Sequence, residues 1–402
     1  MDYSPRTSPP PLRSVLVPAY GPPLLTSIGM GAVIPVIALQ GRALGAGVGE
    51  AALLLTALSI GTLLMALPAG ALIARVGERW SLTLVGTVDA VLCLVAWRTD
   101  SLAAFAVCMA ALGASSTVST QARQGFMIDA FPDSHRARAM SMLGGVFRLG
   151  MLVGPLLGAA LIHAYGLSSV FALAAAFSLA SVALVQSMPA FADDGVDRGP
   201  TLSVLSVVQR HARVLLSVGS AGAVIQGARA LRFVLLPLWA EHVGMSAASV
   251  SLMVGLASVV DLAFVYPAGW VMDRYGRAPV ALCVVGSTAV GCALLPLTDG
   301  FSGVLAVALV IAAGNGMGAG ILMTLGADTA PSTGRAQYLG GWRLMGELGS
   351  TSSPVALAVL AALFPLGTAC LVLGGLCAAG TAWATGWARA LDRRRAERVP
   401  TG

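Results

Sequence analysis

Lysine is missing from this chain: all 24 basic side chains among its 402 residues are arginines. The absence excludes two kinds of chemistry. A Walker A phosphate loop uses its lysine to reach the β- and γ-phosphates, and a Schiff-base site needs a lysine amine to form its covalent bond. Phosphate-loop ATP hydrolysis therefore does not power whatever the protein does.

Charge of either sign is also scarce. Charged residues make up 10% of the chain and hydrophobic residues 57%, whereas a soluble domain carries about 25% charged residues. Several stretches have no charged side chain and reach the roughly 20 residues that cross a bilayer. They are 14–41, 51–74, 101–122, 149–192, 278–298, 300–327 and 348–388.

These runs predict an all-α membrane protein with twelve transmembrane helices, because the 149–192 and 348–388 stretches are each long enough for two spans. We place the spans at 15–39, 48–74, 80–98, 101–125, 138–163, 167–189, 213–240, 246–272, 278–298, 301–327, 336–363 and 367–388.

Cysteine and histidine give no sign of a metal site. The six cysteines lie inside apolar runs without C-x-x-C spacing, and the four histidines are scattered. Small buried thiols are the usual interpretation of such cysteines. We expect no metal and no cofactor. We also expect no nucleic-acid partner, since the net charge of +6 comes from loops and a basic tail.

The arginines are distributed unevenly between the two sides of the predicted bundle. Eighteen lie in or beside the N-terminal segment, the even-numbered gaps and the C-terminal tail, whereas only Arg42 and Arg98 lie in odd gaps. Basic loops stay on the cytoplasmic side during insertion. We therefore predict a multi-pass protein of the inner (plasma) membrane with both termini in the cytoplasm.

Two pairs of matched segments indicate a duplicated six-helix unit. Residues 70–77 resemble 269–276, and 143–149 in span 5 resemble 339–344 in span 11. Secondary transporters are often built from such repeats. We predict two pseudo-symmetric six-helix bundles at 1–188 and 213–390, a cytoplasmic linker at 189–212 and a basic cytoplasmic tail at 391–402.

The loop after span 8 reads Gly269-x-x-x-Asp273-Arg274-x-Gly276-Arg277. It resembles motif A (G-x-L-x-D-R-x-G-R) of the major facilitator superfamily, with Val271 at the Leu position. In the first-half copy, Ala74 replaces the Asp and Glu78 the final Arg. The resemblance extends over essentially the whole chain and implies a transporter with two six-helix bundles.

Span 5 carries a second pattern, Gly150-x-x-x-Gly154-Pro155-x-x-Gly158-Ala159. It is similar to motif C of the 12-span drug:proton antiporter branch, with Ser141 and Ala159 where that motif has glycines. The resemblance implies proton antiport and efflux. Physically, Gly154 and Pro155 would give close helix packing and a bend.

The resemblance also implies a gating role for the motif A residues. Gly276 would allow a tight turn, and Arg277 would bridge to Asp328 at the foot of span 10. Such a cluster would hold the cytoplasmic side closed and break when the halves rock, so Asp273→Asn would impair transport more than insertion. The alternative is a plain hairpin with solvated charges.

Seven charged residues lie well inside the predicted spans, away from the span ends: Arg148, Arg229, Arg232, Arg343, Asp89, Asp261 and Glu347. Each costs about 2.5–3.5 kcal/mol at mid-depth. Left unpaired, they would exceed the usual folding margin of about 5–15 kcal/mol. We therefore expect them to face one another, water or a substrate.

The four arginines are candidate substrate ligands. Arg229 and Arg232 share one face of span 7, a span that lines the central cavity in the superfamily that the chain resembles. Arg148 and Arg343 occupy duplicate positions. Four arginines against three acids favour a substrate with carboxylate, phosphate or carbonyl groups over a lipophilic cation. The alternative is that the arginines pair with the acids.

Asp261 and Glu347 are candidate proton carriers, because a carboxylate beside an arginine in a low-dielectric cavity can change protonation when access changes side. The alternative is a static salt bridge, which Arg343 could make with Glu347 four residues later. For Asp89 in span 3 we favour a structural role.

The leading interpretation is a secondary active transporter that works by alternating access as a monomer in the lipid bilayer, exporting a small organic solute or drug against protons. Proton symport of an anionic metabolite remains open. A membrane-embedded enzyme is disfavoured because the chain has no H-E-x-x-H or G-x-S-x-G pattern. Tandem halves argue against a channel or a signalling receptor.

Overall fold

The computed structural model describes residues 12–66, 68–130, 133–186, 209–318, 320–331 and 335–396. Within these ranges the backbone forms helices and turns, with no β-strand. Twelve helices of this described part are long and apolar enough to cross a membrane, which confirms the predicted all-α architecture. Most of the predicted linker, 189–212, lies outside the described residues.

The N-terminal half contributes six spanning helices, two of them broken. α1 (Leu12–Val33) continues through a 3-10 turn (Ile34–Val36) and a short helix (Ile37–Ala43), and α2 (Val48–Met65) continues as Pro68–Val76. The others are α3 (Glu78–Arg98), α4 (Leu102–Ala130), α5 (Asp133–Tyr165) and α6 (Ser169–Gln186).

The C-terminal half repeats this arrangement. A helical turn (Ala212–Val214) and a π-helical turn (Leu215–Gly219) lead into α7 (Ser220–His242), and α10 (Phe301–Met317) continues as Ile321–Thr329. The others are α8 (Ala247–Tyr275), α9 (Ala278–Leu294, then a 3-10 turn Leu295–Leu297), α11 (Arg335–Leu363) and α12 (Leu366–Ala396).

Two helices extend beyond the predicted spans. α5 begins at Asp133 rather than 138, and α12 runs to Ala396. The predicted boundary between the C-terminal bundle and the tail, at 390, therefore falls within α12.

The helices pack in the same pairs in both halves. In the N-terminal half α1 packs on α5, α2 on α4 and α3 on α6; in the C-terminal half α7 packs on α11, α8 on α10 and α9 on α12. Across the boundary, α5 packs on α8 and α2 on α11. This correspondence is the pseudo-symmetry that the matched segments predicted.

Glycines set the closest of these helix contacts. A methyl group on Gly154 of α5 would overlap the α1 backbone at Ile28 and Ala32, and one on Gly349 of α11 would overlap the α7 backbone at Ala223. Without a Cβ at these positions, each pair of backbones approaches closely enough to gain extensive van der Waals contact.

The described residues of the two halves share a buried cluster near one end of the helices, which we name the closed face; it carries the α1–α2 and α7–α8 loops. A buried cluster there joins Leu39 and Ala52 of the first half to Leu235, Met253 and Leu357 of the second. An ion pair also crosses the boundary, with Arg42 Nε 3.2 Å from Glu241 Oε1.

At the other end, named the open face, the described residues of the two halves share no buried apolar cluster. The buried clusters there each contain residues of a single half. A methyl group added at Gly144 or Gly145 of α5, Gly269 of α8 or Gly340 of α11 would meet no atom within 4 Å. Among the described residues, these four positions border open space at this end of the helices.

Candidate functional site: a cationic cavity between the halves

A cavity of about 460 Å³ lies between the two halves, within the range usual for small-molecule sites. The N-terminal half lines it with Gly31 of α1, Pro35 of the 3-10 turn that follows α1, and Phe147, Arg148, Met151 and Pro155 of α5. The C-terminal half lines it mainly with Gln226, Arg229, Arg232 and Phe233 of α7, Asp261 of α8 and Asn315 of α10.

A continuous polar network occupies the wall formed by the C-terminal half. Arg232 Nη2 lies 3.1 Å from Asp261 Oδ2, and Asn315 Nδ2 donates to Asp261 Oδ1 at 2.9 Å. Arg229 Nε in turn donates to Asn315 Oδ1 at 2.9 Å. Gly316 makes the network possible, because any side chain there would overlap the backbone carbonyl of Asp261 and force α10 away from α8.

The wall formed by α5 presents a single cation. Arg148 lines the cavity and has no hydrogen bond or ion pair in the part of the chain that the structure describes. Two polar atoms on the opposite wall are also buried without a hydrogen-bond partner, Gln226 Oε1 and Arg232 Nε. The Arg232 guanidinium lies over the Phe233 ring, 4.5 Å from its centroid.

The cavity is therefore cationic. Three arginines and one aspartate line it, which leaves two positive charges in excess. In a site of low dielectric such an excess strongly favours an anionic occupant. The arrangement can bind and orient charged groups.

Four of the seven charged residues predicted within spans meet at this cavity: Arg148, Arg229, Arg232 and Asp261. Its lining does not include Arg343, Glu347 or Asp89. The Arg343–Glu347 salt bridge, given above as the alternative to proton carriage, is absent from the described residues. Arg343 is exposed, and the Glu347 carboxylate accepts from Ser350 Oγ at 3.2 Å. Their predicted roles in substrate binding and proton coupling remain predictions.

The motif A residues form a compact cluster at the open face. The predicted bridge is present, with Arg277 Nη2 2.7 Å from Asp328 Oδ2. Gly276 adopts a φ of 85°. The backbone N–H groups of Arg277 and Ala278 donate to the Asp392 carboxylate at 2.9 and 3.1 Å. An acidic side chain thus caps the N-terminus of α9, where the helix dipole favours negative charge.

This cluster lies entirely within the C-terminal half. The bridge exists while the open face is open, so it does not by itself close that face. Asp273 and Arg274 are exposed, and Arg274 lies near the Trp270 and Tyr275 rings. The predicted gating role remains a prediction.

The motif C residues pack α5 against α1. A side chain on Gly150 would overlap Ser27, whereas one on Gly158 would lie 3.4 Å from Ala32 Cβ. Pro155 lies inside α5 and lines the cavity. The predicted close packing is thus present, and these residues shape the α5 wall.

Sequence reasoning missed Asn315, Gln226 and Asp392. Asn315 is the only asparagine in the chain and lies in an otherwise apolar span, where a side-chain amide is costly unless bonded. That rarity was a usable signal. Asp392 was assigned to the basic tail, and its contact with α9 depends on how α12 packs.

Comparison with known proteins identifies the architecture. Residues 24–214 and 218–401 match the family model described as Major Facilitator Superfamily. The fold is similar to the nucleoside transporter NupG (TM-score 0.75, 12% identity, covering 92% of this chain and 98% of that one). A search among curated proteins finds no significant match.

Two further structures have a similar fold. One is a bacterial homologue of the human lysosomal transporter Spinster, in an inward-facing and unoccupied conformation (TM-score 0.73, 14% identity, covering 96% and 97%). The other is the D-xylose-proton symporter (TM-score 0.70, 15% identity, covering 91% and 97%). At these identities the likeness concerns the fold alone.

Proposed function

Because this chain belongs to the major facilitator superfamily, we propose that it carries a small organic anion together with protons, by alternating access to the cationic cavity. The superfamily and its structural neighbours point to a membrane transporter and not to an enzyme. The observation that carries the proposal is the cavity itself: it lies between the halves, opens to one face and has two uncompensated positive charges.

Alternating access requires a closed and an open end that exchange. The closed face has a shared apolar cluster and the Arg42–Glu241 ion pair, and the open face has unpacked glycines on α5, α8 and α11. The arginine asymmetry favours a cytoplasmic location for the open face. The described conformation would then be inward-facing, and closure would bring α5 against α8 and α11 against α2 along their whole length.

Asp261 is the proposed proton carrier. Its carboxylate compensates Arg232 and accepts from Asn315. Protonation would remove that negative charge and leave three uncompensated arginines in the cavity, so a bound proton would strengthen anion binding. Coupling of this sign moves proton and anion in the same direction, because linkage is reciprocal.

Export by proton antiport is the second candidate. This candidate was the leading interpretation of the sequence. Its support is the resemblance of the α5 glycines and Pro155 to motif C. A lipophilic cation, the alternative kind of drug-like solute, fits the positive excess of the cavity poorly.

A pH-gradient experiment separates the two directions. The solute is first identified by thermal-shift screening of the purified protein against metabolites and antibiotics, and the protein is then reconstituted in liposomes. With an acidic exterior, symport predicts accumulation of the solute inside the liposomes, whereas antiport predicts its expulsion. A pH gradient that changes neither rate nor direction would contradict proton coupling.

Asp261→Asn tests the carrier itself. We expect gradient-driven transport to fall by about tenfold or more, in the range usual for coupling between two binding events, while solute–solute exchange persists. Asp89→Asn is the matched control, because Asp89 lies in α3 outside the cavity lining. Equal losses of gradient-driven transport in the two variants would contradict the assignment of Asp261 as the proton carrier.

A further inference from the structure

Two guanidinium groups in the cavity make no ion pair among the described residues, and they come from different halves. Arg148 on α5 has no hydrogen bond or ion pair among the described residues, and Arg229 on α7 donates only to the neutral amide of Asn315. Arg232 differs from both because Asp261 compensates it. The excess charge is thus located on two particular side chains.

These two cations repel each other across the cavity. Among the neighbouring charges, the like charge of Arg232 acts most strongly on Arg229, the opposite charge of Asp261 offsets part of it, and Arg148 adds a weaker repulsion. Buried like charges are costly in a medium of low dielectric. An occupant with one negative charge would leave one guanidinium without a counter-charge, whereas two negative charges would compensate both.

The lining of the cavity also includes apolar side chains from both halves. Phe147 and Met151 flank Arg148 on α5, and Phe233, Val254 and Leu262 lie on the facing helices. A carbon skeleton can contact these side chains while acidic groups at its ends reach the arginines. Inorganic anions lack such a skeleton and would leave the apolar surface uncovered.

We propose that the substrate is a small organic dianion with two separated acidic groups, one bound by Arg148 and the other by Arg229. The inference deepens the proposed function and rests on it for the link to transport. Carboxylates suit both ends, because a guanidinium binds a carboxylate through two parallel hydrogen bonds. Such a ligand joins the two halves, so that the full set of contacts forms only when both walls are engaged.

The first test compares ligands on the unmodified protein. Binding of succinate, glutarate and adipate to purified protein at neutral pH is measured by calorimetry and thermal shift. Butyrate, valerate and hexanoate are the monoacids of equal carbon number, and succinamide is the neutral control. At least one diacid should bind about tenfold or more tightly than its monoacid, as loss of one charge-assisted contact implies. If no diacid exceeds its monoacid, the proposal is wrong.

The second test removes each cation. Arg148→Gln and Arg229→Gln should each abolish the diacid advantage and leave monoacid binding within about threefold, because one guanidinium still remains. Arg98→Gln is the control, since Arg98 is the last residue of α3 and lies outside the cavity lining. A diacid advantage that survives both cavity substitutions, or that disappears in the control, would overturn the assignment.

Folding of the variants is checked by monodisperse elution and by thermal unfolding without ligand. If a variant does not fold, the ligand series on the unmodified protein still decides the question. The two proposals also fail separately. Diacid binding without any effect of a pH gradient would remove proton coupling alone, and gradient-driven transport of a solute that diacids do not displace would remove the dianion alone.

Discussion

The two halves of this transporter share a scaffold and differ in their chemistry. The same three helix pairings occur in each, and glycines at corresponding places, Gly154 and Gly349, set the closest approach of one pair. The polar network of Arg229, Asn315, Asp261 and Arg232 lies only in the C-terminal half. The N-terminal half presents one cation, Arg148, among apolar and small residues.

This difference has a physical basis. Close packing of helices is needed in both halves, and a glycine allows it in each. A buried charge is tolerated only where a partner, water or a substrate compensates it, so each charged residue had to suit its own wall of the cavity. The comparison predicts that packing variants act alike in the two halves.

Gly154→Val and Gly349→Val should have the largest effects of the changes that test this comparison. In each case the new side chain would overlap the backbone of the partner helix, and overpacking costs about 1–3 kcal/mol or more where backbone must move. We expect a lower unfolding temperature and poor recovery of monodisperse protein in both variants. Gly386→Ala is the control, since its Cβ would meet no atom within 4 Å. A severe effect in one half only would break the comparison.

The loops that follow α2 and α8 should respond unequally. Gly77 and Gly276 have φ values of 82° and 85°, so alanine at either position costs about 1–2 kcal/mol in strain. At Gly276 the methyl group would also lie 2.5–2.9 Å from the Asp392 carboxylate atoms. Displacing that cap from α9 adds about 1 kcal/mol.

Thermal and chemical unfolding in one detergent measures this difference. Gly276→Ala should be less stable than Gly77→Ala, and in an Asp392→Ala background the gap should close. An equal loss in the two single variants would show that the carboxylate contributes little to the loop.

Reversing the Arg42–Glu241 ion pair should have the smallest effect. It crosses between the halves at the closed face, but its side chains are 34% and 33% exposed, and exposed pairs are worth about 0.2–1 kcal/mol. Either single substitution, Arg42→Glu or Glu241→Arg, puts like charges together. It should raise the population of molecules in which the halves have separated at the closed face by up to about fivefold. The double exchange should restore it.

This population is measured by double electron–electron resonance between spin labels attached at positions 43 and 242, in a background without the native cysteines. Failure of the double exchange to restore the original distance distribution would show that other contacts hold this face closed.

The sequence by itself determined the number of spans, their division into two matched halves and the shared face of Arg229 and Arg232. Hydropathy and helical periodicity are local properties, and a membrane leaves helices few alternatives. The Arg277–Asp328 contact was also predictable, through the resemblance of its loop to motif A. The sidedness of the termini stays a prediction from arginine counts.

Only the tertiary structure decided which charges meet. It brought Asp261 to Arg232 through α7 and α8, placed Asn315 between Asp261 and Arg229, and left Arg343 outside the cavity although it duplicates Arg148. The reason is that contact between helices depends on their crossing and register. Glycine contacts such as that of Gly316 with α8 set both, and the spacing of residues along one helix carries no information about them.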